Sequence, residues 1–319
     1  MLKLKTILLA IFSLVFLVAA TFPSQAQKQA PKEELKEKLV YNGPAVLWHA
    51  PSDIESRNLL LGAGGETMKP DLSRVTFVEE EKGGWSTKYT VKDGKGNEWV
   101  AKLSKEAQPE TAANRLVWAA GYETEIVYLV PELEIQGKGT FKNVKLEARP
   151  KDVKRAGDWP WQGNPFDGKP EFQGLKIMMI LINNWDMKDD NNAILATKGV
   201  PDSERRYIIS DLGATFGKTG GIISRSRNKP SDFVKSEFVK GVKGNLVDFN
   251  YGGKNGKLFD NLTVADAKWL ASWLGRLSDN QIKDAFRAAN YTTEEVEMLT
   301  GAVRKRIDTL ANLSGGRGQ

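Results

Sequence analysis

Along the chain the spacing of apolar side chains changes period more than once, and the changes divide it into regions. Between Arg74 and Leu146 apolar positions recur mostly every second residue, the mark of half-buried strands. Arg74–Val78, Lys88–Val91 and Glu98–Leu103 read as three successive strands. They are separated by Lys82-Gly83-Gly84 and by Asp93-Gly94-Lys95-Gly96-Asn97, the second a strong hairpin signal. Pro109 then suits the first turn of a helix, where its missing N–H costs nothing. Glu110 to Ala120 places Ala113, Leu116, Val117 and Ala120 on one face, and Gly121 ends the helix. Extended runs at Ile126–Ile135 and Asn143–Leu146 follow, which gives an antiparallel sheet with one inserted helix.

Beyond residue 150 the period lengthens. Asp158–Gly168, rich in Pro, Gly and Trp, predicts an ordered surface connection. Leu175–Ile182 is apolar nearly all round, as in a helix buried within a larger lobe, with Met178 and Met179 as core residues. Ala193–Leu195 and Arg206–Ile209 form a hairpin, and 215–229 is a loop rich in Gly, Ser and Arg. Three helices then open at Thr263…Asp266, Ser278…Gln281 and Thr292…Glu295, each with capping-box spacing. The expected class is α+β: an N-terminal antiparallel sheet lobe with one inserted helix (71–150) and a mainly helical C-terminal lobe (151–313). Residues 314–319 read as a disordered tail.

The N-terminus belongs to neither lobe. Lys3 and Lys5, the apolar run Ile7–Ala20 and Ser24-Gln25-Ala26 have the layout of a secretory signal peptide over 1–26. That run, about 14 residues, is shorter than the roughly 20 needed to span a bilayer. The expectation is a secreted or periplasmic protein with no membrane span after cleavage. Residues 27–70 read as a polar tether and an irregular segment. Within it, Gly62-Ala63-Gly64-Gly65 lacks the strand and helix that a phosphate loop needs, so a turn or linker is expected.

Composition narrows the chemistry. With no cysteine, disulfides contribute nothing in any compartment. The single histidine, His49, excludes histidine-based zinc sites and suits a structural role. Lys and Arg exceed Asp and Glu by 46 to 40, a net +6 that falls to +4 without Lys3 and Lys5. These charges are dispersed, so nucleic acid is not an expected partner.

The candidate chemistry lies in Asn183-Asn184-Trp185-Asp186-Met187-Lys188-Asp189-Asp190-Asn191-Asn192 and, further on, Ser210-Asp211-Leu212-Gly213. Asp186, Lys188 and Asn191 resemble the catalytic loop of protein kinases, Asp211-Leu212-Gly213 resembles the metal-binding Asp-Phe-Gly, and Val100-Ala101-Lys102 resembles the third-strand lysine. The resemblance covers roughly Val75 to Leu310. It implies that Asp186 orients and deprotonates an acceptor hydroxyl and that Lys188 stabilises the phosphoryl group in flight. It also implies that Asn191 and Asp211 hold Mg²⁺, while Lys102 neutralises the phosphates of ATP or another nucleotide. Glu110 would be the helix partner of Lys102, with Glu106 as the fallback, and Gly83 and Gly84 would let backbone N–H groups approach the phosphates. The acceptor would be an unidentified hydroxyl compound: protein, lipid or small molecule. Asp189 and Asp190 are expected to face solvent, and Arg225 and Arg227 to lie in a solvated loop.

Asn184-Trp185 stands where His-Arg usually precedes the catalytic Asp, and no Ala-Pro-Glu follows. The pattern therefore looks closer to atypical bacterial kinase-like families: toxin-type, lipid-kinase-like and secreted. A group of exported bacterial proteins shares the Asn-Asn-Trp-Asp-x-Lys-Asp-x-Asn-Asn and Ser-Asp-Leu-Gly-Ala-Thr-Phe-Gly stretches. The scarcity of nucleotide triphosphates outside the cytoplasm keeps open a catalytically inactive nucleotide- or partner-binding module.

Overall fold

The computed structural model describes residues 39–82, 86–220 and 224–315. The expected signal peptide, residues 27–38 of the tether, Gly83 and Gly84, and residues 316–319 of the tail lie outside them. In chain order the elements are β1 (Ala45–Val46), β2 (Thr76–Glu80), β3 (Thr87–Lys92), β4 (Glu98–Leu103), α1 (Ala107–Ala119), β5 (Val127–Ile135) and β6 (Gly139–Ala148). Then come β7 (Val153–Gly157), α2 (Pro170–Leu181), β8 (Asn192–Thr197), β9 (Arg205–Ile209), α3 (Pro230–Lys235), β10 (Val239–Lys243) and β11 (Leu246–Phe249). Helices α4 (Val264–Leu274), α5 (Asp279–Arg287) and α6 (Thr293–Ala311) complete the fold. Among the described residues no helix is long and apolar enough to cross a membrane.

The α+β architecture agrees with the sequence pattern. Strands β2-β3-β4-β6-β5 make one antiparallel sheet, with α1 inserted between β4 and β5. Its apolar face buries Val91, Trp99, Leu133, Ile135, Val144 and Leu146. The Asp93 carboxylate closes the β3–β4 hairpin by accepting from Lys95 N, Asn97 N and Trp99 Nε1 at 2.9–3.1 Å. The apolar face of α1 (Ala112, Ala113, Leu116, Val117) joins the larger core of the helical lobe. Gln108, in its first turn, donates to Ala289 O and Asn290 O beyond α5. Helix α1 is thus held from both sides.

In the helical lobe α2 is buried along its length, Met178 and Met179 included. The capping boxes at Thr263, Ser278 and Thr292 all form, each contributing about 1 kcal/mol. Arg306 of α6 is buried beneath the lobe's loops. It donates to Leu181 O at the end of α2 (2.8 Å), to Asn183 Oδ1 (2.9 Å) and to Ser236 Oγ (2.7 Å). A cation at a helix C-terminus suits the helix dipole. Asn183, left-handed at φ 53°, ends α2 and starts the acidic segment.

Three features depart from the sequence pattern. Trp159 and Trp161, expected on a surface connection, are 1% and 2% exposed and pack with Phe172. Their burial comes from tertiary contacts that a non-periodic stretch does not reveal. Residues 45–59, expected to be irregular, supply β1, which pairs parallel to β9 in the sheet β1-β9-β8-β7. They also bury Ile54 and Leu59, and Gln281 of α5 donates to Ile54 O and Arg57 O. The β10–β11 hairpin, finally, interrupts the helical region. Gly62–Gly65 is a turn against α1 and β5: Tyr128 OH donates to Gly65 O, and a Cβ on Gly62 would collide with the Arg115 guanidinium.

Candidate active site

Pairing in the sheet lobe sets the first part of the site. Lys102 on β4 lies opposite Lys88 on β3 and opposite Lys145 on β6. Residues directly opposite across a ladder share a face, so three ammonium groups form a row. Like charges so placed repel, and the row persists because acids meet it. Glu110 of α1 bridges two of the lysines, through Oε2 to Lys102 (2.8 Å) and through Oε1 to Lys145 (2.6 Å). Lys102 also reaches Glu106 Oε2 at 2.9 Å and Asp211 Oδ1 at 3.6 Å. Lys102, Glu110 and Lys145 are all nearly inaccessible to solvent.

The second part comes from the acidic segment between α2 and β8. Trp185 N donates to Ala214 O, and Lys254 N donates to Trp185 O. These bonds clamp the segment between the loops that follow Asp211 and Phe249. Asn184 Oδ1 accepts from Asp186 N, and Asn191 Nδ2 donates to Asp186 O at 2.6 Å. Each Asp186 oxygen meets a lysine: Oδ1 meets Lys254 at 2.6 Å and Oδ2 meets Lys188 at 3.1 Å. Asp189 and Asp190 are exposed, Asp189 accepting from Trp161 N.

Both parts open on one cleft of about 810 Å³, lined by Lys102, Glu110, Asp186, Lys188, Asn191 and Asp211 together. Six of the eight residues singled out in the sequence therefore meet; Gly83 and Gly84 are outside the described residues. Glu106 is not an alternative to Glu110, since both contact Lys102. Arg227, expected in a solvated loop, also lines the cleft. It pairs with Glu106 and sits over the Trp185 ring at 4.8 Å, with Arg225 at 5.5 Å. These contacts reach about 120 residues back in sequence to Glu106 and about 40 to Trp185.

Several other residues of the site escape sequence reading. Lys145 and Glu147 sit at alternate positions of a strand otherwise taken as half exposed, and Lys254 comes from a Gly-rich turn. The alternation of charges at 145, 147 and 149 was the available signal.

Charge is tightly coupled here. Burial pushes the Asp211 carboxyl up, but Lys102, the Gly213 N–H, Lys145 and Lys88 outweigh it and hold the group below its ordinary range. Burial works against the Lys145 ammonium, yet Glu110, Glu147 and Glu125 hold its pKa well above normal. Glu147 is kept far below the usual carboxylate range by Lys145 and Arg149, against the cost of burial. Glu125 behaves oppositely: burial first, then the Glu147 charge, push it up to about 8. It accepts from Ser210 Oγ at 2.8 Å, one residue before Asp211.

The donor set fits a hard divalent cation. Asp211 supplies carboxylate oxygens, and Asn191 supplies an amide oxygen because its nitrogen is committed to Asp186 O. Among the described residues no three His, Cys, Asp or Glu side chains converge on a metal position. Magnesium suits such a sparse protein shell, since it keeps waters and takes phosphate oxygens as ligands.

No protein-family model and no curated protein matches the chain. Among solved structures, it is similar to the proinflammatory kinase CtkA of Helicobacter pylori, at 12% identity and a TM-score of 0.47, over 76% of this chain and 97% of that one. It is also similar to the Rio2 kinase of Chaetomium thermophilum, in complex with ADP/Mg²⁺ and phosphoaspartate (13% identity, TM-score 0.31, 75% and 72% covered). A third is the Golgi casein kinase with Mn/ADP bound (10% identity, TM-score 0.30, 76% and 75% covered). The described residues form an antiparallel sheet with one inserted helix, followed by a mainly helical lobe.

Proposed function

We propose that the chain is an exported, atypical kinase-fold phosphotransferase that moves the γ-phosphoryl group of a nucleotide to a hydroxyl acceptor. One observation carries the reading: the buried Lys102–Glu110 pair faces Asp211 in the cleft that also holds Asp186 and Asn191. Lys102, fixed by Glu106 and Glu110, presents a positive charge to the phosphates without reorganising. Asp211 and Asn191 would hold Mg²⁺, which when bound neutralises phosphate charge and aligns the β- and γ-phosphates. Asp186 accepts the proton of the attacking hydroxyl, and Lys188, 3.1 Å away, steadies the negative charge that builds beside it.

A second reading, a binding module without transfer, is favoured by one contact. Lys254 occupies Asp186 Oδ1 at 2.6 Å, so an acceptor hydroxyl must displace it. Calorimetric titration of the mature protein with ATP, with and without Mg²⁺, tests both readings beside Asp211→Asn. The phosphotransferase reading expects Mg²⁺-dependent binding that Asp211→Asn weakens at least about tenfold, together with turnover. Binding without phosphate release or transfer would select a nucleotide-binding module, and no binding would remove the phosphotransferase and leave only a module that binds a partner.

A further inference from the structure

We propose that the cavity beside the lobe connection, residues 149–152 between β6 and β7, is a second ligand site, separate from the cleft, for a small anionic compound with an apolar body. The site does not depend on the phosphotransferase reading.

The cavity, of about 570 Å³, draws its lining from β3, β4 and β6 of one sheet and from β7, β8 and β9 of the other. Its apolar part is Ile126, Ala148, Pro150, Val153 and Leu195, all but Ala148 partly exposed. Apolar side chains gathered from separate segments gain by being covered, and a volume of this size accepts a molecule built on one or two rings.

Charge then selects the kind of molecule. Six cations line the cavity against two carboxylates, Glu98 and Glu125, in a chain whose whole excess of Lys and Arg over Asp and Glu is six. Glu125 cancels little of this at neutral pH, since burial and then the Glu147 charge push it up to about 8. Arg149, Arg155 and Arg206 already have partners in Glu147, Asp158 and Glu123, and the first two also line the cleft. Lys92, Lys151 and Lys198 have no carboxylate partner among the described residues. They come from the end of β3, the lobe connection and the turn after β8, so their charges are free for an anion held over the apolar part.

A third observation is a buried hydroxyl. Thr124 lines the cavity and is 9% exposed, yet its Oγ1 has no hydrogen-bond partner. Buried polar groups are ordinarily satisfied, so a ligand oxygen is a fitting acceptor for it. An apolar patch alone would take any hydrophobe, and lysines alone any anion. Together with an unpartnered donor they define a compound that is both.

Isothermal titration of the protein with 1-naphthyl phosphate, 1-naphthol and inorganic phosphate tests the proposal. Naphthyl phosphate is expected to bind at least about tenfold more tightly than either of the others. Lys151→Glu with Lys198→Glu, both at exposed positions outside the elements, should weaken it at least about tenfold, and Thr124→Val about threefold or more. Saturating Mg²⁺–ATP should leave its affinity within about twofold. Absence of binding at millimolar naphthyl phosphate overturns the proposal, as does naphthol binding equally well or indifference to the charge reversal. Displacement by Mg²⁺–ATP also overturns it, by making the cavity part of the nucleotide site. A protein that binds naphthyl phosphate as expected but no ATP would lose the phosphotransferase reading and keep this site.

Discussion

Replacing Lys145 by Met removes an ammonium that holds two carboxylates, Glu110 at 2.6 Å and Glu147 at 2.9 Å. At an effective dielectric of about 20, each pair attracts by roughly 6 kcal/mol. Part of that offsets the cost of burying the ammonium, which the variant no longer bears. Arg149 remains for Glu147, but Lys102 is left to serve Glu110, Glu106 and Asp211 at once. Breaking a buried pair from one side costs about 3–5 kcal/mol, and that is the loss expected here. For a unit of this size it corresponds to a fall of roughly 6–10 °C in Tm.

The pH dependence has a definite sign. The depressed Glu147 carboxyl contributes stability that is present above its unfolded pKa, near 4.5, and is lost as pH falls toward its lower folded value. Lys145→Met should flatten that acid loss, and adding Glu147→Leu should restore at least half of the stability at pH 7. Urea unfolding at pH 3.5, 5 and 7, followed by circular dichroism, reads all three effects. A single variant within about 1 kcal/mol of the parent at pH 7 would refute the argument, since that is the range of an exposed ion pair.

Other outcomes follow from the same charge map. Glu125→Gln should act in the opposite sense: with its folded pKa raised to about 8, Glu125 contributes stability that is complete below pH 4.5 and lost as pH rises through 8. The variant should therefore be more stable than the parent at pH 8.5, by about 1–3 kcal/mol, with little difference at pH 5, as denaturant titration at the two values will show. Asp186→Asn should lower turnover about 10²–10⁴-fold while nucleotide affinity, read by calorimetry, stays within about threefold. Gly62→Ala should cost at least about 2 kcal/mol in thermal unfolding. The residue sits at φ +71°, and the new methyl would displace an Arg115 guanidinium that donates to Val127 O at 2.7 Å.

What the sequence discloses and what it hides follow a physical division. Local signals carry over well: Asp93–Asn97 closes its hairpin, Glu98–Leu103 is a strand, and Thr263, Ser278 and Thr292 each cap a helix. Each depends on neighbours within a few residues. The cleft's first partners were also legible because motif order constrains them: Lys102 finds Glu110 eight residues on, and Asp186 finds Asn191 within one loop. Contacts between distant segments were not. Lys145 owes its place to the β4–β6 register, Lys254 to a turn docked on Trp185, and Arg227 to Glu106 on the opposite lobe. Arg306 shows the same limit: it closes the basic run Arg304-Lys305-Arg306 on an amphipathic helix, where a charge ordinarily faces water, yet it is buried holding the loop that leads to Asp186. In all four cases a charged side chain is held by a partner that only the fold supplies, and for Lys145 and Arg306, which are buried, that partner also offsets the cost of burying the charge.

In the proposed reaction Asp211 and Asn191 hold a divalent cation beside phosphates anchored on Lys102. Crystals of the protein grown with Mn²⁺ and a non-hydrolysable ATP analogue allow it to be tested by anomalous scattering. A manganese peak ligated by Asp211 and Asn191 oxygens, with phosphate density reaching Lys102, is expected. A peak ligated elsewhere, or an empty cleft at saturating ligand, would contradict it.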